Sequence, residues 1–256
     1  MREDAREGMP ELPEVETVVR ELSQVLPGRG IQEVGVIFPD LLDRPPSQFA
    51  GKLKGSLIRS VDRRGKNILV ILSDSSLMVV NLGMTGRLLF HPAPWPGDPA
   101  AEKGPTHVAV SFSLQSGGHL LYADSRRFGS LRLFSSGDWA RESARLGPEP
   151  LDPGLTARGL QERMSRSRSP IRSWLLDQTK IVGVGNIYAS EALFRAGIHP
   201  RRPARSLDRQ DSRRLLGALR DVLGEAIGAR GTTLRDYRTA SGDRGDFAPS
   251  LRAYGR

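Results

Sequence analysis

The apolar positions of this chain change period twice. Val15, Val18, Val19, Leu22 and Leu26 recur at helical spacing, with Pro13 where a first turn accepts it, so one amphipathic helix is expected to open the fold. From about Ile31 to Phe134 the pattern shortens to β-rich runs, "LIRSV", "NILVILS", "SLMVVNLG", "HVAVSFSL", "HLLYAD" and "SLRLF", with turn material such as "SDSS" and "QSGG" between them. Val108, Val110, Phe112 and Leu114 alternate with small or polar residues, as a half-buried strand requires. The block predicts an antiparallel sandwich or barrel.

"HPAPWPGDPAAEKGP" interrupts the strands as a Pro/Gly-rich loop, whereas "LGPEPLDPG" at 146–154 divides β-rich from helix-rich sequence and is expected to link two domains. Helical spacing returns near 155–164, 170–179, 186–197 and 208–229, the last with Leu215, Leu219, Val222, Leu223 and Ala226 on one face. The tail, 231–256, is rich in Gly and Arg and offers little core material. No internal repeat is visible. The expected class is therefore α+β, a β-rich half followed by an all-α half.

Composition narrows the function. The 256 residues are 38% hydrophobic, enough to bury a core in one large or two modest domains. No apolar run is long enough to cross a bilayer, and "MREDAREG" is charged where a secretory signal is apolar, so the expected compartment is the cytoplasm. Lys plus Arg number 38 against 29 Asp plus Glu, a formal +9 that attracts polyanions, with nucleic acid first among them. The same excess also suits a GC-rich genome, because lysine occurs only at positions 52, 54, 66, 103 and 180. With no cysteine there is neither a thiolate nucleophile nor a thiolate zinc site, and His91, His107, His119 and His199 show no ligand spacing, so no metal site is expected.

Three stretches carry candidate chemistry. In "VGVGNIYASEALF", Gly183 and Gly185 precede Asn186, which can N-cap a helix; glycines before a helix start let a phosphate reach exposed N–H groups. A plain pair of helix caps has the same spacing, but Arg166, Arg168 and Arg172 just upstream favour a grip on a duplex backbone. In "ADSRRFGSL", Arg126, Arg127 and Phe128 share a turn, a set able to meet a base edge, a phosphate and a stack, and Met84 in "NLGMTGRL" is a second apolar side chain on a Gly-flanked turn. Phe128 as a core anchor and Met84 as packing are the alternatives. Finally, "MPELPE" at 9–14 would give Pro10 a free secondary amine if Met9 were the first residue and were removed. Such an amine can attack a sugar C1′ and form an iminium, with Glu11 to move protons and Glu14 within a turn of it. The alternative is a helix N-terminus with acids set against its dipole.

"MPELPEVET", "RRGKNIL", "NLGMTG", "DSRRFG", "LGPEPL", "VGVGNIYASEALFRAGIHP" and "GTTLRDY…YGR", in that order from Met9 to Arg256, resemble the bacterial formamidopyrimidine-DNA glycosylases, whose family also contains endonuclease VIII. The resemblance implies an N-terminal β-sandwich flanked by the first helix and a C-terminal helix–two-turns–helix domain. It divides the chain into an extension at 1–9, a catalytic domain at 10–145, the linker at 146–154, a DNA-binding domain at 155–230, and a lesion-covering loop and tail at 231–256. It implies excision of oxidised bases from double-stranded DNA with strand cleavage at the abasic site, by a cytoplasmic, nucleoid-associated monomer. Position by position, Pro10 resembles the Schiff-base nucleophile, Glu11 its acid–base partner and Lys66 the lysine that contacts phosphate and supports elimination. Met84, Arg126 and Phe128 resemble the trio filling the duplex void, while Arg127 and Asn186 resemble phosphate contacts; Arg168 and Arg172 join them as DNA-binding candidates from the basic segment. Glu14 is counted with the DNA-binding residues, and Thr232, Thr233 and Tyr237 belong to "ARGTTLRDY", the loop that would cover the flipped base. "PELPE" is the opening that accompanies oxidised purines, such as 8-oxoguanine and formamidopyrimidines, rather than oxidised pyrimidines.

The departures carry expectations too. The family continues past "YGR" into a four-cysteine zinc ribbon with a phosphate-binding arginine, so this chain alone is expected to hold no zinc, to bind DNA more weakly and to be poor at δ-elimination. Ser125 stands where proline is usual, Asn81 where histidine is usual, and Pro105-Thr106 where a His-Asp pair is common. Acylated by Met9, Pro10 is a tertiary amide without a nucleophilic lone pair. Either Met9 is the true start, or the protein is a duplex binder without catalysis; an endonuclease VIII-like preference for oxidised pyrimidines is a third reading.

Overall fold

The computed structural model describes residues 9–92, 106–115 and 117–255. The extension before Met9 and nearly all of the Pro/Gly-rich loop after His91 lie outside them. Helix α1 (Leu12–Val25) opens the fold; Pro13 sits in its first turn, and the Glu14 carboxylate accepts the Glu11 backbone N–H at 2.8 Å, satisfying one of the orphan donors of the helix start.

Among the described residues eight strands follow: β1 (Ile31–Val36), β2 (Ile58–Arg64), β3 (Asn67–Leu72), β4 (Leu77–Asn81), β5 (Gly86–His91), β6 (Val108–Leu114), β7 (His119–Asp124) and β8 (Ser130–Phe134). They form two antiparallel four-stranded sheets, ordered β1-β6-β7-β5 and β2-β3-β4-β8, so the sandwich is realised rather than the barrel. In β3 and β4, Ile68, Val70, Met78 and Val80 enter the core between the sheets. Leu69, Leu77 and Val79 on the opposite face meet Trp139 of a short helix, α3 (Ser136–Ser143). Both faces are covered, so "NILVIL" reads as a continuous apolar run. A bulge between Val108 and Val110 breaks the alternation of β6: Val110, Phe112 and Leu114 point into the core, while Val108 packs outside with Leu121 and Ala123.

Four helices build the second half: α4 (Ala157–Met164), α5 (Ile171–Leu176), α6 (Asn186–Ala196) and α7 (Arg209–Gly228). Asp208 caps α7, accepting the Asp211 N–H at 2.7 Å, and α7 buries Leu215, Leu219, Val222, Leu223 and Ala226 against α4 and α6. Among the described residues no helix is long and apolar enough to cross a membrane.

Two segments join the cores. Leu12 of α1 belongs to the helical core, whereas Val15, Val18, Val19 and Leu22 belong to the sandwich core. The tail does the same, which corrects the expectation that it lacks core material: Tyr237 and Ala240 pack in the sandwich core, Phe247 and Leu251 in the helical core. Its few apolar residues are spaced to reach across the seam between the halves. The 146–154 segment is likewise tied down, because the Glu149 carboxylate accepts the Gly65 N–H at 2.7 Å and pairs with Arg63 and Arg64, and Arg63 also pairs with Glu16.

Candidate active site

Residues 10–14 sit at this seam. Pro10 is buried at the head of α1, its nitrogen acylated by Met9 in this chain. The next residue, Glu11, is buried and turns its carboxylate to the start of α6, accepting N–H groups from Gly185 at 2.7 Å, Ile187 at 2.8 Å and Tyr188 at 3.4 Å. The anion slot that the glycines create is therefore filled by the chain's own Glu11. Gly185, not Asn186, occupies the cap position, so Asn186 is the first helical residue, and its Oδ1 accepts from the Arg172 guanidinium at 3.2 Å. This corrects the expectation that Asn186 caps the helix. The physical reason is proximity: an acid positioned by α1 supplies the negative charge that the helix start favours.

The glycines serve that approach. A Cβ on Gly185 would overlap both the Glu11 carboxyl and the Lys66 ammonium, and one on Gly183, at φ +87°, would crowd the Leu12 side chain. Lys66 reaches this point from the β2–β3 turn, which Glu149 pins through Gly65. Desolvation raises the Glu11 pKa above its ordinary value, opposed by the Lys66 charge and by the three N–H groups.

Glu14 forms a second buried site one turn on. Its carboxylate accepts the Tyr188 hydroxyl at 2.6 Å and the Thr232 N–H at 2.7 Å, as well as the Glu11 N–H. Burial, reinforced by the neighbouring Glu11 charge, pushes it up to about 7, against the pull of those three donors. Thr232, Thr233 and Tyr237 are buried with it: Tyr237 donates its hydroxyl toward the Glu14 and Arg230 carbonyls, and Thr233 Oγ1 accepts the Gly245 N–H at 2.8 Å.

The two filler turns are built against each other. A Cβ on Gly83, at φ +58°, would strike the backbone of Phe128 and Gly129. Buried Asp124 organises the 125–129 loop by accepting from the Thr85 hydroxyl, the Arg126 N–H and the Gly129 N–H at 2.5, 3.2 and 2.9 Å. Phe128 is 59% exposed, which removes the core-anchor alternative, and the Arg126 guanidinium lies 4.9 Å from its ring centroid. Arg127, at φ +55°, lies over Phe38 and pairs with Asp40 at 3.4 Å. Met84 is half-buried. Asn81 ties its turn to the Lys66 side of the site, since its side-chain amide donates to Asn67 Oδ1 and its Oδ1 accepts the Gly83 N–H, both at 3.0 Å. Arg168 is exposed before α5, and Arg172 is half-buried on it.

The structure thus brings Pro10, Glu11, Glu14, Lys66 and Thr232 together at the seam, and Met84, Arg126 and Phe128 together on adjoining turns. Motif reading passed over Tyr188, Glu149 and Asp124. A hint existed for Asp124, an acid ending a strand before Ser and the loop it organises; for Tyr188 and Glu149 the partners lie far away in sequence. Among the described residues there is no group of three or more His, Asp or Glu arranged to hold a metal ion.

Comparison with known proteins agrees with this layout. Residues 9–131 match the model of the formamidopyrimidine-DNA glycosylase N-terminal domain, and 146–238 that of the formamidopyrimidine-DNA glycosylase H2TH domain. The formamidopyrimidine-DNA glycosylase of Moorella thermoacetica is 45% identical over 251 residues, 97% of this chain and 89% of the relative. That of Bacillus subtilis is 40% identical over 97% of this chain and 88% of its own length. Among solved structures, the complex of Lactococcus lactis Fpg with abasic-site DNA superposes with a TM-score of 0.85 at 29% identity, covering 96% of this chain and 88% of that one. The MutM (Fpg) protein of Thermus thermophilus gives 0.82 at 39% identity with the same coverage. A sandwich and a helical half joined at an acid-lined seam, each matched by its own domain model, identify the chain as a member of the formamidopyrimidine-DNA glycosylase family.

Proposed function

We propose that this chain is a base-excision-repair DNA glycosylase for oxidised purines in double-stranded DNA, with abasic-site lyase activity, and that its active form begins at Pro10. The observation that carries the reading is the convergence of Pro10, Glu11 and Lys66 at one buried point, with Glu11 held by three N–H groups. The proline amine attacks C1′ of an extruded nucleotide, and the C1′–N9 bond breaks as the base leaves with its electron pair and takes a proton. Glu11, whose pKa burial raises, donates to O4′ as the sugar ring opens to an iminium. Loss of a C2′ proton then expels the 3′ phosphate by β-elimination and cuts the strand, with Lys66 balancing the phosphate charge. No step calls on a metal. Exposed Phe128, with Arg126 and Met84, suits filling the void; Arg127, Arg168, Arg172 and Asn186 suit phosphate contacts, and the 231–237 segment suits a cover for the base. Relatives solved with abasic-site and Fapy-dG DNA support the substrate class.

The start at Pro10 is supported by the family match, which begins at residue 9. With residues 1–9 attached, the amide at Pro10 leaves a duplex binder. The test is excision by the Pro10-initiated chain from duplexes carrying 8-oxoguanine or thymine glycol. Faster release of 8-oxoguanine is expected; preference for thymine glycol, or release of neither, overturns the reading.

A further inference from the structure

We propose that Tyr188 is a positioning residue for base excision: its hydroxyl bridges Glu14 and Thr232 and thereby fixes the 231–233 segment against the head of α1. The inference rests on the glycosylase reading and concerns a residue to which that reading gives no role.

One residue of α6 holds both buried acids. The Tyr188 backbone N–H donates to Glu11, and its hydroxyl lies 2.6 Å from Glu14 and 2.8 Å from Thr232 Oγ1. Thr232 closes the triangle by donating its own N–H to Glu14 at 2.7 Å, and Glu14 in turn takes the N–H of Glu11, the residue after the nucleophile. The segment can come this close because residue 231 is glycine: at φ +84°, a Cβ there would stand 3.0 Å from Glu14 Oε1 and 3.1 Å from the Tyr237 ring. Tyr188 is itself fully buried, with the Phe247 ring 6.2 Å away. The hydroxyl is a two-way part. With Glu14 ionised, Tyr188 donates to it and accepts from Thr232. With Glu14 protonated, the acid donates to Tyr188, which turns its proton to Thr232. The hold on the segment is therefore tightest with the carboxylate, which draws charge-assisted bonds from both Tyr188 and Thr232.

The groups facing Glu14 are Glu11 from its own helix, Tyr188 from α6, and Thr232 and Tyr237 from the tail, with Lys66 beyond Glu11 and Arg230 beyond Tyr237. Tyr188 stabilises the carboxylate form, so removing the hydroxyl raises the pH at which Glu14 ionises. A damaged base occupies volume beside C1′ that a covering segment must meet, whereas an abasic sugar presents none. Excision should therefore feel the segment's position, and abasic-site cleavage should not.

The experiment compares Tyr188→Phe with the Pro10-initiated parent chain in single-turnover excision of 8-oxoguanine and in cleavage of a preformed abasic site, from pH 5.5 to 9. The acid limb of excision is expected to move up by about half a pH unit or more, with abasic-site cleavage held within about twofold. Thr232→Val, which removes the second hydroxyl and keeps the N–H bond, should shift the limb the same way by less. An unmoved limb in Tyr188→Phe overturns the proposal, as does an equal loss of both reactions at every pH. Should Tyr188→Phe fail to fold, an unmoved limb in Thr232→Val overturns it. A parent chain that excises nothing instead defeats the glycosylase reading.

Discussion

Replacing Glu14 by glutamine should remove one pH-dependent contribution to stability. In the folded chain burial holds the Glu14 proton up to about pH 7, while an unfolded glutamate releases it near its ordinary value of 4.5. Between those limits the folded state binds more protons than the unfolded state, so this contribution is complete below pH 4.5 and is lost as pH rises through 7. At about 1.4 kcal/mol per pH unit, the loss is about 3 kcal/mol, an order-of-magnitude figure because Glu11 lies beside it. Glutamine does not titrate. Its carbonyl can accept from Tyr188 and Thr232, but its NH₂ then faces the Glu11 N–H, a donor against a donor costing about 1–2 kcal/mol. Glu14→Gln should therefore be less stable than the parent at pH 4.5 and equal to it or better at pH 8.5. Denaturant melts at half-unit steps give the difference between the two proteins, in which carboxylates distant from Glu14 cancel. In thermal melts the relative shift across the range should be roughly 6–10 °C. A difference that stays constant with pH, or grows in the parent's favour, would refute the argument that burial governs Glu14.

Other outcomes follow from particular contacts. Phe128→Ala removes an exposed ring, so stability should change by less than about 0.5 kcal/mol while excision from a duplex falls about tenfold or more; equal excision would deny it a place in the duplex. Asp124→Ala strips the acceptor from Thr85, Arg126 and Gly129 and should cost about 2–3 kcal/mol in denaturant melts; a loss below about 0.5 kcal/mol would show that the loop holds itself. Arg168→Ala should reduce the slope of log affinity against log salt by about 0.9. Arg214→Ala, whose guanidinium is committed to Asp211, should leave that slope unchanged; equal effects would show that the basic face acts only through net charge.

What the sequence disclosed follows how locally each feature is determined. Strand β3 is legible because two covered faces make its residues apolar throughout, and α7 because one buried stripe runs the length of a capped helix. Strand β1, with Gln32, Glu33 and Gly35, carries only a weak alternation, and β5 fully buries just Gly86 and Leu88. Helix α3 meets the sheet through Trp139 with none of its own residues fully buried, and α2 (Pro46–Leu53) buries only Phe49 and Leu53, so neither shows a face worth reading. Within the site, Pro10, Glu11 and Lys66 could be named from motifs. That Glu11 fills the helix start in place of a phosphate depends on residues 174 to 177 positions apart, which no local pattern encodes. The Tyr188 triangle and the Glu149 clamp are of the same kind: each polar group is determined by a partner that only the tertiary fold supplies.

The central claim is a free Pro10 amine at a sugar carbon. Borohydride reduction during reaction with an 8-oxoguanine duplex tests it directly, using one chain that begins at Pro10 and one that retains residues 1–9. A covalent protein–DNA adduct that maps to Pro10 in the first chain, with none in the second, is the result expected. An adduct on the chain that retains those residues, or one mapping to Lys66, would contradict the account.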